Sequence, residues 1–186
     1  MLIEYLREED LKLTLKYQEG PKNMSVISEF KELTNNKIGI VSRGYQLHVM
    51  AEVLRKIKEK YRFIIISMPT GSGKTLIETF FAYYGIKNME KVLVLEPTRF
   101  LCDQMYSTIW RKLFGDIVGK EYEGRCTNFL DKHKKIILFT PITALKCIQA
   151  IGGNFNVLII DEVHKTSNSV SDNRKKVKDD STLPFQ

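Results

Sequence analysis

A glycine-rich turn that ends in Lys-Thr carries the clearest chemistry in this chain. It follows an apolar run and precedes a helical pattern. Its glycines let backbone N–H groups curl around an anion, its lysine supplies charge for the β- and γ-phosphates, and its last threonine offers a hydroxyl to Mg²⁺. A helix that begins there adds the positive end of its dipole. The pattern favours a phosphate-binding loop over a surface turn, formed by Thr70, Gly71, Ser72, Gly73, Lys74 and Thr75.

Two acidic residues directly follow another apolar run. Asp161 and Glu162 come after residues 157–160. A carboxylate at a strand end can hold Mg²⁺ through water, and a second one can orient or deprotonate the water that attacks a γ-phosphate. An Asp-Glu pair by itself could simply cap a strand. A phosphate-binding loop upstream in the same chain favours the catalytic interpretation.

Threonines and prolines follow two further apolar runs. The first group is Pro97, Thr98 and Arg99, and the second is Thr140 and Pro141. Each threonine precedes or begins a predicted helix, so helix capping alone could explain it. Helix N-termini with hydroxyl groups and an arginine also make sequence-independent contacts to a phosphodiester backbone. The neighbouring motifs favour this second interpretation.

A glutamine lies upstream of the phosphate-binding loop, in the segment Arg43-Gly44-Tyr45-Gln46. Taken alone, the segment is the polar start of an amphipathic helix. The side-chain amide of glutamine can both donate to and accept from the edge of adenine. Its position before the loop favours a role for Gln46 in nucleotide binding.

From Arg43 onward, helical patterns alternate with short apolar runs. Apolar strands separated by helices indicate a parallel sheet that is covered on both faces. Because parallel strands point the same way, the residues after each strand collect at one edge, where open α/β folds bind ligands. We predict an α/β fold with strands at 63–67, 92–95, 136–139 and 157–160 and helices at about 44–60, 74–84, 99–113 and 142–151.

The sequence also predicts three segments. Residues 1–40 form a small N-terminal α+β extension of unknown role, with a short helix at 25–33. Residues 41–165 form the phosphate-binding domain. Residues 166–186 are rich in Ser, Asn, Lys and Asp with little to bury, which indicates a disordered tail or linker.

Composition limits the classes of protein that remain. The 186 residues are 43% hydrophobic, enough for one core. A net charge of +7 favours a polyanionic partner such as nucleic acid. No apolar run could span a membrane and no basic start resembles a signal peptide, so we expect an intracellular protein of the cytoplasm, nucleoid or nucleus. Cys102, Cys126 and Cys147 are odd in number and widely spaced, and we expect buried or free thiols.

Over residues 43–164, the order and spacing of these motifs resemble the first RecA-like domain of superfamily 2 helicases and translocases, including the Asp161-Glu162-Val163-His164 motif. The resemblance implies a RecA-like fold, ATP and Mg²⁺ as cofactors, and nucleic acid as partner. The Arg-x-Tyr-Gln form is similar to that of DNA translocases, restriction-type motors among them, which favours DNA over RNA.

The resemblance also implies a role for each motif residue. Gln46 would read adenine with support from Arg43. Lys74 would serve the phosphates, and Thr75 and Asp161 would hold Mg²⁺. Glu162 would act on the attacking water, and His164 would relay the nucleotide state to a second domain. The strand-binding groove would be lined by Pro97, Thr98, Arg99, Thr140 and Pro141.

We expect no second RecA-like domain within 186 residues. Such domains supply arginine fingers, each worth ~10³ or more in the rate of phosphoryl transfer. We therefore expect this chain alone to bind ATP and to hydrolyse it weakly or not at all. Two alternatives stay open: a non-catalytic nucleic-acid or partner-binding module that retains half a motor, and a less favoured phosphate-loop kinase, which needs an acceptor pocket and a basic lid.

Overall fold

The computed structural model describes residues 21–151 and 155–162. The chain divides into two compact units, residues 1–84 and 85–186. Residues 1–20 of the predicted N-terminal extension, the predicted tail at 166–186 and His164 lie outside the described residues. No helix in the described part of the chain is long and apolar enough to cross a membrane.

The first unit contains α1 (Pro21–Ile38), α2 (Gly44–Lys58) and most of α3 (Lys74–Lys87). Its core brings the rings of Phe30 and Phe80 edge to face, with centroids 5.2 Å apart. Helix α1 extends beyond the predicted 25–33. It ends at Ile38. The next residue, Gly39, has a φ of +67°, which is favourable for glycine, and its N–H donates to the Asn35 carbonyl at 3.1 Å.

The strand predicted at 63–67 is wrong, because the described structure assigns no strand there. The segment keeps the alternating exposure of an extended chain. Ile66 and Met68 pack against the helical core of the first unit, whereas Phe63 and Ile65 are 92% and 63% exposed. The continuous apolar run that predicted this strand is therefore not sufficient, because a strand also needs a hydrogen-bonded ladder.

The second unit contains a four-stranded, fully parallel sheet in the order β2-β3-β1-β4. Strands β1, β3 and β4 confirm the predictions at 92–95, 136–139 and 157–160, and the α/β class is confirmed. Strand β2 was not predicted. The strands are β1 (Val92–Leu95), β2 (Val118–Glu121), β3 (Ile136–Phe139) and β4 (Val157–Ile160).

Helices flank this sheet. Helix α4 (Arg99–Met105) continues through a π-helical stretch (Tyr106–Trp110) into α5 (Arg111–Phe114). A 3-10 turn (Gly115–Ile117) then leads into β2. The remaining helices are α6 (Thr127–Leu130) and α7 (Pro141–Ile151).

The register aligns the carboxyl ends of all four strands. Leu95 pairs with Phe139 and with Ile160, and Glu121 also pairs with Phe139. The residues that follow these four strands therefore begin at the same level of the sheet. This is the edge at which open α/β sheets bind ligands.

The cysteines differ in part from the prediction. Cys126 and Cys147 form a disulfide that joins the residue before α6 to α7, with a Cα–Cα distance of 5.6 Å. The expectation of thiols is wrong for this pair, because a separation of 21 residues gives no sign that the fold brings the two together. Cys102 is a free, buried thiol, and burial raises its pKa to about 12.

Candidate functional site

The predicted phosphate-binding loop lies directly before helix α3. Gly71 and Gly73 have φ angles of +78° and +79°, the left-handed region that glycine enters without steric cost. The Ser72 N–H and hydroxyl both donate to the Pro69 carbonyl, at 3.3 and 2.7 Å. Helix α3 begins at Lys74, as predicted. The loop and the helix start that follows it fit the phosphate groups of a nucleotide.

The structure brings the predicted adenine-binding segment against this loop. The Gln46 amide donates from Nε2 to the Ser72 carbonyl at 2.9 Å and accepts at Oε1 from the Arg43 N–H at 2.8 Å. The Tyr45 hydroxyl donates to the same Ser72 carbonyl at 2.6 Å. Gln46 is 4% exposed, and its hydrogen bond to the Ser72 carbonyl holds the loop in place. An amide has a second N–H and a second lone pair, and contact with adenine would use these.

Tyr45 contacts the loop, although it was not among the predicted site residues. Its hydroxyl meets the loop 27 residues away in sequence, and Arg43 donates to that hydroxyl from Nη1 at 3.3 Å. The available signal was a hydroxyl-bearing aromatic next to the glutamine. Arg43, Tyr45 and Gln46 thus act together to hold the shape of the phosphate-binding loop.

We expect Gly73→Ala to destabilise the loop and weaken ATP binding. A methyl group at Gly73 would overlap the Gln46 amide nitrogen, and the residue would keep a φ that alanine rarely adopts. The backbone strain alone costs about 1–3 kcal/mol. Thermal unfolding and ATP titration calorimetry measure the two effects.

Gly39→Ala is the matched control for this substitution. Gly39 has a similar φ of +67°, but a methyl group there meets no atom within 4 Å. The control should lower stability through strain and leave ATP affinity unchanged. If the two variants bind ATP equally well, the close approach of the Gln46 amide to position 73 does not matter for nucleotide binding.

In the second unit, Thr98 and Arg99 begin α4. The Thr98 hydroxyl caps the helix by accepting from the Leu101 N–H at 3.2 Å. Arg99 forms an ion pair with Glu123, lies 4.0 Å from the Asp103 carboxylate, and stacks on the Tyr122 ring at 4.2 Å. Its side chain is 55% exposed. A phosphate could reach Arg99, but it would compete with two carboxylates.

The second predicted pair begins α7. Pro141 is the first helical residue, where its missing N–H costs nothing. The Thr140 hydroxyl donates to the Thr143 hydroxyl oxygen at 3.0 Å. That oxygen also accepts from the Gly124 N–H at 3.2 Å. The loop after β2 is therefore held against the start of α7.

This loop, Tyr122-Glu123-Gly124-Arg125, was not among the predicted site residues. It contacts Arg99 through Tyr122 and Glu123 and contacts Thr143 through Gly124. It thus connects the two groups predicted to bind a nucleic-acid strand. The available signal was an aromatic residue close to a glycine and an arginine, but without a predicted β2 the sequence does not place this loop at the edge of the sheet.

The acidic pair follows β4, as predicted. The Asp161 N–H donates to the Leu95 carbonyl at 3.0 Å and continues the pairing of β4 with β1. Glu162 has a φ of +48°, the left-handed conformation. Lys74 and Thr75 belong to the first unit, whereas Asp161 and Glu162 belong to the second. His164 lies outside the described residues.

Glu96 is an unexpected buried acid at the end of β1. It is 1% exposed, and within the described part of the chain its Oε1 atom has no hydrogen-bond partner. Burial raises the pKa of Glu96 to about 8, and the nearby Asp161 carboxylate contributes further. The unfolded chain ionises this group near pH 4.5. Its contribution to stability is therefore complete below pH 4.5 and is lost as the pH rises through about 8.

Comparison with known proteins shows which family this chain is similar to. The family described as type III restriction enzyme, res subunit, matches residues 39–185. The chain is 31% identical to the ATP-dependent DNA helicase uvsW of Enterobacteria phage T4 over 113 residues, which cover 58% of this chain and 22% of that protein. It is 25% identical to a protein of Acanthamoeba polyphaga mimivirus named "Putative ATP-dependent RNA helicase", over 69% of this chain and 19% of that protein.

The chain spans about a fifth of the length of these two relatives. The matches and the parallel α/β sheet support a helicase-type ATPase domain of superfamily 2. The family match covers most of the chain, including the glycine loop and all four strands of the sheet. The chain therefore belongs to the family of type III restriction enzyme res subunits.

Proposed function

We propose that this chain is the ATP-binding part of a superfamily 2 nucleic-acid motor, a helicase or translocase that couples ATP hydrolysis to movement along nucleic acid. The observation that carries the proposal is the glycine loop before α3, held in place by Gln46, in a chain of this family. The proposed ATP-binding domain covers residues 41–165 of an intracellular protein.

The residues present fit Mg·ATP. The backbone of Thr70, Gly71, Ser72 and Gly73 would cradle the phosphates, and Lys74 would neutralise their charge. Mg²⁺ prefers oxygen ligands and keeps several waters, which suits the Thr75 hydroxyl and the Asp161 carboxylate. The bound metal ion would offset the negative charge of the phosphates.

Glu162 follows Asp161 directly and would orient and deprotonate the attacking water. His164 would couple the nucleotide state to a second RecA-like domain. Full activity would need that second domain, because its arginine fingers stabilise the transition state. Without it, this chain would bind ATP and turn it over slowly.

The nucleic-acid partner is proposed to be DNA rather than RNA. The Arg-x-Tyr-Gln segment and the phage relative, a DNA helicase by name, favour DNA. The strand would contact helix starts and hydroxyl groups through its phosphates, so binding would be largely independent of base sequence. The proposed contacts come from Pro97, Thr98, Arg99, Thr140 and Pro141.

ATP turnover with and without single-stranded DNA tests this proposal. We expect low turnover by the chain alone, and a DNA-dependent increase when a second RecA-like domain of a relative is added in trans. A phosphate-loop kinase would not respond to DNA. A chain that binds DNA but hydrolyses no ATP with the added domain would instead be a non-catalytic binding module.

The salt dependence of DNA binding tests the proposed groove. We expect weak binding of single-stranded DNA that falls steeply with salt, because phosphate contacts release counterions. Arg99→Ala should weaken binding equally for different base sequences and make the salt dependence shallower by about one phosphate contact. Fluorescence anisotropy at several salt concentrations measures both quantities.

Glu123→Gln provides a control with the opposite sign. Glu123 pairs with Arg99, so removing its charge frees the guanidinium for phosphate and should tighten binding. If neither variant changes the affinity, or if Arg99→Ala affects only one DNA sequence, the proposed groove is wrong.

A further inference from the structure

A small polar pocket opens beside the edge strand β2. Its volume is about 220 Å³. The proposed ATP chemistry uses none of the residues around it. Its walls include two aromatic rings, two cationic side chains and an amide, from Tyr106, Tyr122, Lys120, Arg125 and Asn128.

The two tyrosine rings are surrounded by cationic groups. Lys120 Nζ lies 4.9 Å from the centroid of the Tyr106 ring and 5.7 Å from that of Tyr122. The Arg99 guanidinium lies 4.2 Å from the Tyr122 centroid. These distances fall within the range of cation–π contacts. The contacts hold the rings in place before any ligand binds.

The positive charges around the pocket are already paired with carboxylates. Lys120 forms an ion pair with Asp103, and Arg99 pairs with Glu123. Arg125 lies 3.9 Å from the Glu123 carboxylate. Because these acids offset the cations, a phosphate in the pocket would gain little net attraction. The groups left to bind a ligand are the two tyrosine rings, and aromatic rings favour a flat, polarisable ligand.

The pocket is preformed on its other side. The Asn128 amide donates to the Lys120 carbonyl at 3.2 Å. The Glu121 carboxylate accepts from the Asn128 N–H and from the Phe129 N–H. These bonds fix the start of α6 against β2. A fixed pocket loses little entropy when it binds a ligand.

The pocket adjoins both groups of the proposed nucleic-acid groove. The Arg99 guanidinium stacks on the Tyr122 ring at one end of the loop. Two residues later, the Gly124 N–H donates to Thr143, which is hydrogen-bonded to Thr140. A strand that contacts Arg99 and Thr140 would therefore pass this loop.

We propose that the pocket holds one nucleobase of a single-stranded nucleic acid, stacked on the face of the Tyr122 ring opposite the Arg99 guanidinium, while the backbone of the strand passes Arg99 and Thr140. This inference rests on the proposed function and adds a base contact to the phosphate contacts proposed there. Stacking accepts every base because each has a π-face, so the site would show little sequence preference.

Anisotropy titrations of the full chain with a labelled oligothymidylate test this proposal. Tyr122→Leu keeps apolar bulk and removes the ring, and it should weaken binding about 5- to 150-fold, the range for loss of one stacked base. Tyr122→Phe keeps the ring and should bind like the wild type. Neither change removes a charge, so the salt dependence should stay the same.

An oligonucleotide of the same length and charge, with abasic sites throughout, is the matched probe. The wild type should bind the thymidylate strand more tightly than the abasic strand, and Tyr122→Leu should lose most of this preference. Equal binding of both strands by the wild type would overturn the proposal, and this readout does not depend on whether the Leu variant folds.

Two other outcomes separate this proposal from the proposed function. If Tyr122→Leu binds thymidylate as tightly as the wild type while Arg99→Ala still weakens binding, the base pocket is wrong and the groove remains. If the wild type binds neither strand at low salt, the nucleic-acid function and the base pocket both fail.

Discussion

Lys74→Ala is expected to abolish measurable binding of Mg·ATP while leaving the fold intact. Lys74 is half-buried at the first residue of α3, directly after the glycine loop. Losing a charge that pairs with a partly desolvated phosphate costs about 2–5 kcal/mol, which is about 30-fold or more in affinity. Titration calorimetry measures the affinity, and circular dichroism checks the fold.

Lys58→Ala is the control for the Lys74 variant. Lys58 is the last residue of α2 and is exposed, so the change removes the same charge at a position outside the loop. It should bind ATP like the wild type. Unchanged affinity in a folded Lys74→Ala protein would remove the phosphate-binding assignment. Equal losses in both variants would point instead to a non-specific effect of net charge.

The strands of the sheet show what the sequence could predict. Short apolar runs bounded by polar residues located β1, β3 and β4 at their observed bounds. Strand β2 was invisible to the same reasoning because glycine and lysine occupy its middle. Its last residue, Glu121, is a buried carboxylate that depends on donors from α6. A strand held by tertiary hydrogen bonds carries no local apolar signal.

The candidate site divides in the same way. Features that depend on sequence-local geometry follow from the sequence: Pro141 is the first residue of its helix, as predicted, and Gly71 and Gly73 have positive φ angles that glycine adopts without strain. The contacts of Tyr45 and Tyr122 span 27 and 23 residues, to Ser72 and Arg99. No spacing rule covers such contacts. The Cys126–Cys147 disulfide could not be predicted for the same reason. Only the tertiary fold determines that the loop containing Cys126 lies next to α7.

Glu162→Gln is expected to preserve ATP binding and to remove hydrolysis. The amide keeps the shape and size of the carboxylate, but it cannot accept the proton of the attacking water and orients that water less well. General-base catalysis contributes about 10²–10⁴ in rate, so turnover should fall by that factor. The measurement needs this chain together with a second RecA-like domain, because turnover without that domain is expected to be too low to compare.

Glu32→Gln is the matched control, because Glu32 is an exposed carboxylate in α1 and belongs to no motif. It should leave both ATP affinity and turnover unchanged. In the Glu162 variant, equal affinity with lost turnover would place the defect in the chemical step. Lost affinity would instead make Glu162 a binding residue. Turnover at the wild-type rate would exclude Glu162 as the general base. Glu96, the buried acid beside Asp161, would not replace it, because a pKa raised to about 8 keeps that carboxyl protonated at neutral pH.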